Sequence, residues 1–217
     1  VFGYLLDLVV LRRMFGQSQI AVIILTIALG FVMRFFAGLI WGHQPVSLQS
    51  PIAGRDIRFG GLVLGLDEIA VIAVTVIMTI VLYFYFNRTR LGVAMQAASQ
   101  NQLAAYYMGI PVKRLNGLVW GLAAGVAAIA GLLLAPVTFV HANMGFIGLK
   151  AFPAAVVGGF GSLPGAIVGG LVIGIVEALS GFYLPEGFKD IAPYIVVLIM
   201  LVLKPNGLFG EKLRKKV

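Results

Sequence analysis

The 217-residue chain has no cysteine and few charges, since only 11% of its residues are Asp, Glu, Lys or Arg. Without cysteine it has no disulfide, no thiolate metal ligand and no cysteine nucleophile. A soluble domain has about a quarter of its residues charged, so this chain has too few charges to cover a water-facing surface. The composition therefore excludes a soluble enzyme, a disordered chain and a disulfide-stapled secreted module.

Nucleotide-binding and metal-binding patterns are also missing. The Gly-rich run 158–165 lacks the Lys of a phosphate-binding loop, and Pro164 replaces the last glycine of a dinucleotide fingerprint. His43 and His141 lack metal-ligand spacing, and we expect both near the outer membrane surface. We therefore expect no cofactor and no metal, and any ATP hydrolysis must take place in another chain.

Long apolar runs fill the sequence instead, with 60% hydrophobic residues and a mean hydropathy of +1.03. The net charge of +8 is then better explained by biased membrane loops than by a nucleic-acid partner. A membrane-crossing helix needs about 20 apolar residues. Four segments qualify, namely 20–40, 69–86, 115–140 and 165–183. Two more, 191–203 and 147–161, are shorter, and the second is broken by Pro153 and a glycine cluster.

Lys and Arg concentrate before the first span, around the connection 88–114 and in the tail 204–217. Because cytoplasmic loops carry an excess of these residues, we expect those three regions to be cytoplasmic and the loop 42–66 to be external. That loop is polar and rich in Gly and Pro, and a short hairpin is one possibility. Both ends of the chain then lie on the same side, so the number of crossings is even and six spans are expected.

An even number of crossings requires the broken stretch 147–161 to cross most or all of the bilayer. Irregular backbone at that depth is tolerated only when buried in protein or lining a watery cavity, and broken helices mark sites in many transporters. The stretch is thus a candidate translocation path, with a kinked packing helix as the alternative. A Glu deep in the span 165–183 either serves the path or is a hydrogen-bonded or wetted structural group. The candidate path residues are Gly158, Gly159, Gly161, Ser162 and Glu177.

Small residues recur at spacing four on two of the spans. This spacing places them on one helix face, where they allow membrane helices to approach closely. We therefore expect two close-packing faces, formed by Gly117, Gly121 and Gly125 on one span and by Ala166, Gly170 and Gly174 on the other.

The connection 88–114 contains good helix formers followed by Gly109 and Pro111, a helix stop. It predicts a short helix over 93–108. Because that helix has little apolar stripe and few charges, it is better suited to a partner's groove than to a lipid surface. A plain connector between spans is the alternative.

Three stretches carry a resemblance to a known family. They are GVAMQAASQNQLAAYYMGIPVKRLNGLVWGLAAGVAAIAGLLLAP (92–136), FPAAVVGGFGSLPGAIVGGLVIGIVEAL (152–179) and LKPNGLFG (203–210). In this order they resemble the inner-membrane permease subunits of branched-chain amino acid ABC transporters of the Liv type. The resemblance implies one all-α, polytopic membrane helical bundle over 1–217 with about six spans. Family members usually carry further spans upstream, which suggests that such spans are missing here.

The resemblance also implies function and partners. The chain would move branched-chain amino acids across a bacterial inner membrane by alternating access, without being an enzyme itself. Its partners would be a homologous permease subunit, two ATP-binding subunits, an extracytoplasmic substrate-binding protein and membrane lipid, with no nucleic acid. Importer permeases often carry Glu-Ala-Ala, three residues and Gly in a coupling helix; here Leu103 stands in place of the Glu. The implied coupling residues are Gln100, Asn101, Ala104, Ala105 and Gly109.

Other functions remain open at this stage. The first alternative is a permease of the same family for urea or short amides. The membrane chain alone does not distinguish these substrates from branched-chain amino acids. A secondary transporter or channel would work without an ATPase. An intramembrane enzyme needs a cluster of titratable groups, but Arg34 and Glu177 lie on separate spans.

Overall fold

The structure, a computed structural model, describes residues 2–14, 17–48, 56–59 and 62–210. Part of the predicted external loop (49–55, 60 and 61) and the last seven residues of the basic tail (211–217) lie outside the described residues. Contacts along the chain divide it into two compact units, 1–142 and 143–217. The two units are described separately.

Over its described residues, the first unit contains six α-helices and a hairpin. In chain order they are α1 (Phe2–Val9), α2 (Gln19–Trp41), β1 (Asp56–Phe59), β2 (Leu62–Gly65), α3 (Leu66–Arg88), α4 (Arg90–Gln100), α5 (Gln102–Tyr107) and α6 (Val112–Leu134), with a 3-10 turn at Leu11–Met14 after α1. The strands pair antiparallel, Asp56 opposite Gly65 and Phe59 opposite Leu62. The external loop therefore contains the short hairpin that its composition allowed.

The second unit is helical in the part that the structure describes. Its elements are α7 (Gly145–Leu149), α8 (Ala151–Gly158), α9 (Leu163–Tyr183) and α10 (Phe188–Leu203). Val156, Val157, Ile173 and Val197 form its core, contributed by α8, α9 and α10.

In the part of the chain that the structure describes, four helices are long and apolar enough to cross a membrane, and they confirm the four long predicted spans. They are α2, α3, α6 and α9, of 21 to 23 residues. At about 1.5 Å per residue such helices match a hydrocarbon core of about 30 Å. None of the residues of α3, a helix described throughout, is buried. A helix that is apolar on all sides is stable only in lipid or against other protein, so the chain is a polytopic, helical membrane protein.

The two remaining predicted spans are shorter helices. Helix α10 has 16 residues, and the apolar segment Ala142–Gly158 is interrupted at Lys150, between α7 and α8. Helix α6 also ends at Leu134, six residues before the predicted boundary. Pro136 follows, and it cannot donate a helical hydrogen bond. Val140 instead exchanges two 2.9 Å backbone hydrogen bonds with Val46.

The packing face predicted on α6 is partly correct. A Cβ added at Gly117 would lie 2.8 Å from the Tyr4 ring and 3.0 Å from Asp7 Oδ2, so this glycine admits α1. Gly121 lies at ordinary contact distance from Tyr4, whereas no described atom lies within 4 Å of a Cβ at Gly125. The close contact therefore covers only the N-terminal part of the predicted stripe.

The packing face predicted on α9 is displaced by one residue within this chain. Gly165, Gly169 and Ile173 are buried, and a Cβ at either glycine would overlap the backbone of α8. The predicted row, Ala166, Gly170 and Gly174, is exposed. Both rows contain glycines at spacing four and lie side by side on the helix, so spacing alone did not decide between them. The contact with α8 did.

Candidate coupling loop and transport segment

The connection between α3 and α6 holds two helices, where the sequence predicted one over 93–108. The break lies at Asn101, whose backbone is extended (φ −154°, ψ 99°). Its Oδ1 accepts a 3.0 Å hydrogen bond from the Ala104 N–H, which caps the N-terminus of α5. Asn is among the best residues for this position, and its cap preference outweighs the good helix formers on both sides.

Helix α5 ends at a glycine motif, as the sequence predicted. Gly109 has φ +80°, a conformation that favours glycine. The Ile110 N–H donates to the Ala105 carbonyl and the Gly109 N–H to the Tyr106 carbonyl, both at 3.0 Å. This pair of hydrogen bonds is a Schellman motif. Gly109 thus fixes the end of α5.

Ala105 does not face outward. It is buried with Met95, Ala98, Val112 and Leu115 in the core that joins α4, α5 and α6. The methyl group of this predicted coupling residue therefore packs within the chain and is not offered to a partner. Gln100, Asn101 and Ala104 are exposed and remain available to a partner.

A cluster of large apolar residues projects from α5 instead. None of them is among the coupling residues predicted from the sequence. The exposed fractions of Leu103, Tyr106, Tyr107 and Met108 run from 64% to 83%. We call these four residues the α5 knob. Beside it, a groove of about 620 Å³ is lined by knob residues together with Lys113 and Arg114. Contiguous exposed apolar surface of this kind marks an interaction site.

The loop 88–114 is joined to the neighbouring long helices by a one-residue link and by a shared core. Only Thr89 separates α3 from α4. Its Oγ1 donates to the Tyr85 carbonyl (2.6 Å) and accepts from the Gly92 N–H (3.0 Å). At the other end, the shared core described above includes Leu115, in the first turns of α6. These contacts connect α5, through α4 and the shared core, to both α3 and α6.

In the second unit, two of the predicted path glycines, Gly158 and Gly159, are packed against backbone. The carbonyls of Val157 and Gly158, at the end of α8, accept 2.9 Å hydrogen bonds from the N–H groups of Leu208 and Phe209. A Cβ at Gly159 would overlap the backbone near Gly210. The stretch 203–210 thus caps α8, which satisfies carbonyls that a helix end otherwise leaves unpaired.

Two other path candidates have local roles. Ser162 caps α9, because its Oγ accepts a 3.1 Å hydrogen bond from the Gly165 N–H. Gly161 is exposed with φ +86° and lies in the turn that joins α8 to α9. These contacts favour the kinked packing reading for 158–162, and a role in the path stays a prediction.

Glu177 takes part in an ion-pair cluster that the sequence did not reveal. Lys150 Nζ lies 2.6 Å from Glu177 Oε1 and 3.0 Å from Asp190 Oδ1. The Lys150 and Glu177 side chains are only about a fifth to a quarter exposed, whereas Asp190 is 78% exposed. The cluster joins the α7–α8 break to α9 and to the start of α10. Of the alternatives predicted for Glu177, its geometry therefore agrees with the hydrogen-bonded structural group.

The described residues thus form long apolar helices and, between α3 and α6, a loop with an exposed apolar knob. The sequence profile of the family described as "Branched-chain amino acid transport system / permease component" matches residues 1–203. The chain belongs to this family. It is therefore a membrane permease subunit of the ABC-transporter class, not an enzyme.

Similar proteins extend this finding. The chain is 30% identical to the high-affinity branched-chain amino acid transport system permease protein LivH of Escherichia coli K12, covering 100% of this chain and 72% of LivH. It is 28% identical to BraD of Pseudomonas aeruginosa with the same coverage. A relative with another cargo in its name, the fructose import permease FruG of Bifidobacterium longum, is 27% identical over 72% of this chain and 46% of FruG. No solved structure matches this permease chain.

Proposed function

We propose that this permease subunit moves branched-chain amino acids into the cell by alternating access, driven by ATP hydrolysis in partner subunits. The observation that carries the proposal is the α5 knob. It is an apolar surface on a helix whose two ends are fixed by the Asn101 cap and the Gly109 motif. Apolar side chains held in a defined geometry are suited to seat in a groove of another protein.

In this proposal the whole chain, 1–217, acts as one permease domain in a bacterial inner membrane. The coupling loop 88–114 and the tail 204–217 face the cytoplasm, and the loop 42–66 faces outward. The concentration of Arg and Lys around the coupling loop supports that orientation. The partners are a homologous permease subunit, two ATP-binding subunits and an extracytoplasmic substrate-binding protein.

The mechanism follows from the connections of the loop. Closure of the ATP-binding subunits moves the α5 knob, and the one-residue link at Thr89 and the core shared with α6 carry that motion into α3 and α6. The broken segment 147–161 then opens to one side and afterwards to the other. An apolar path binds aliphatic side chains weakly, so selectivity resides mainly in the substrate-binding protein.

The substrate is assigned through the names of two similar proteins, LivH and BraD, which refer to branched-chain amino acids. FruG refers to fructose. Urea or short amides stay as competitors within the family, and a transporter or channel without an ATPase stays as the competitor from another class. Uptake of labelled leucine, urea and fructose by the complete complex separates the substrates.

Cross-linking tests the coupling assignment directly, because the natural chain contains no cysteine. We expect a Tyr107→Cys variant in the α5 knob to cross-link to an ATP-binding subunit in membranes. Tyr183→Cys is the matched control: it replaces the same residue type, also exposed, at the end of α9, which the proposed orientation places on the outer side. Cross-linking of both variants, or of neither, would contradict the assignment.

A further inference from the structure

The ion pair between Lys150 and Asp190 joins the starts of two helices in the second unit. Lys150 lies directly before α8, and Asp190 lies in the first turn of α10. The charged atoms, Lys150 Nζ and Asp190 Oδ1, are 3.0 Å apart. One side-chain contact therefore holds the beginning of α8 to the beginning of α10.

Each partner of this ion pair lies three residues before a proline. Pro153 follows Lys150 in α8, Pro193 follows Asp190 in α10, and both prolines are fully buried. A proline cannot donate the helical hydrogen bond to the carbonyl four residues earlier, so the turns around Lys150 and Asp190 each lack one such bond. Helices bend at points of this kind. The segments that carry the two charges can therefore change direction while the rest of each helix stays in place.

The parts of α8 and α10 beyond the prolines are held in the core of the second unit. Val157 and Val197 pack there with Ile173 of α9. A Cβ at Gly169 would overlap the Ala154 carbonyl, so α8 also lies close against the backbone of α9. Bending is thus confined to the turns that carry Lys150 and Asp190.

The two ion pairs of Lys150 differ in how easily they open. The Glu177 side chain is 21% exposed, whereas the Asp190 side chain is 78% exposed. Breaking the pair with Glu177 would leave a partly buried carboxylate without its cation, which is unfavourable. Breaking the pair with Asp190 returns an exposed carboxylate to water, and exposed pairs contribute little to stability. The bond to Asp190 is therefore the one that opens, while Lys150 stays with Glu177.

We propose that the Lys150–Asp190 ion pair is a reversible latch, which holds the starts of α8 and α10 together in one transport state and releases them in another. Its place on the outer side of the membrane and its link to the ATP-driven cycle rest on the proposed function. Because both helices bend at a proline, release separates their starts without disturbing the core. Asp190 is then a positioning residue, since it acts through Lys150 and needs no contact with the transported solute.

Distances between spin labels test the latch without altering it, because the natural chain has no cysteine to compete for the labels. Labels at Leu149→Cys and Lys189→Cys, the exposed neighbours of the two latch residues, are measured in the complete complex in lipid nanodiscs. We expect a short and a long distance whose proportions change at least about twofold between the nucleotide-free and the ATP-bound complex.

A control pair of labels reports the other ends of the same helices. Phe160→Cys lies just after α8 and Leu203→Cys ends α10, and both positions are exposed. The hydrogen bond from the Leu208 N–H to the Val157 carbonyl holds these ends together. We therefore expect one distance for this pair, unchanged by ATP.

Removal of the latch charge supplies the second measurement. In the nucleotide-free complex we expect Asp190→Asn to raise the population of the long distance about two- to fivefold, the range that the loss of an exposed ion pair supports. Glu186→Gln is the matched control, since it removes the same charge from an exposed residue just before α10; its distances should equal those of the natural chain.

Three results would overturn the proposal. They are a single distance between the Leu149 and Lys189 labels that ATP leaves unchanged, an equal change in the control pair, and an Asp190→Asn variant with the distances of the natural chain. Leucine uptake by vesicles tests the proposed function separately. A complex that carries another solute would fail the uptake assay and still show the distances expected of the latch.

Discussion

Lys150 Nζ lies 2.6 Å from Glu177 Oε1, and this pair connects the interruption of a short helix to the middle of a long one. Lys150 also reaches Asp190 at 3.0 Å, so one cation holds carboxylates from two helices. The cluster explains how the break between α7 and α8 is tolerated in a segment that is otherwise apolar.

The first prediction concerns this cluster. Lys150→Met leaves Glu177 without its cation in a partly buried place, so we expect the free energy of unfolding to fall by about 1–3 kcal/mol, between the values for exposed and buried pairs. Lys189→Met, one residue from Asp190, is the control and should be near neutral. Thermal unfolding in detergent measures both, and an equal loss in the two variants would contradict the ion-pair account.

The second prediction concerns the two rows of small residues on α9. Gly165→Ala forces a methyl group into the α8 backbone, and we expect a loss of about 1–3 kcal/mol or more. Gly170→Ala adds its methyl group to an exposed helix position, where Ala is better than Gly by about 0.5–1 kcal/mol. Melting temperatures of the isolated subunit should therefore move in opposite directions. A larger loss for Gly170→Ala would mean that the exposed row is the packed one.

A third prediction separates two adjacent alanines in the coupling loop. Ala105→Leu overfills the core that joins α4, α5 and α6, so it should cost about 1–3 kcal/mol of stability. Ala104→Leu changes an exposed position and should leave stability unchanged while weakening ATP-driven transport. Unfolding and uptake measured on both variants check the pair. Normal transport by Ala104→Leu would remove Ala104 from the docking surface.

The fourth prediction concerns the segment that caps α8. Gly207 has φ +76°, and a Cβ there would overlap Gly159. Gly207→Ala should therefore detach 204–210 from α8 and destabilise the second unit. Gly187→Ala shares the positive φ (+95°) but has open space around it, so only the backbone cost of about 1 kcal/mol applies. Protease sensitivity of the C-terminal segment distinguishes the two; equal sensitivity would argue against the cap.

Much of the fold could be predicted because membrane spans are local in sequence. The helices α2, α3, α6 and α9 were predicted from the length of their apolar segments alone. The Gly109 stop was also predictable, since glycine is the usual residue after a helix end. The break at Asn101 was missed although its signal, a strong N-cap residue, is present in the sequence.

The remainder depends on contacts between distant residues. Glu177 and Asp190 lie 27 and 40 positions after Lys150 in the sequence, and no local pattern pairs them with it. Ala105 and Tyr107 are both apolar residues of one short helix, and only the fold shows that the first is buried and the second exposed. The displaced packing face on α9 likewise depends on a contact between distant residues, since α8 decides which row of α9 is buried.

The most direct test of the central claim is accumulation of labelled leucine in vesicles that contain this permease with and without the ATP-binding subunits. We predict uptake against a gradient only when the complete complex, the substrate-binding protein and ATP are present. Accumulation against a gradient by the permease chain alone would contradict the account.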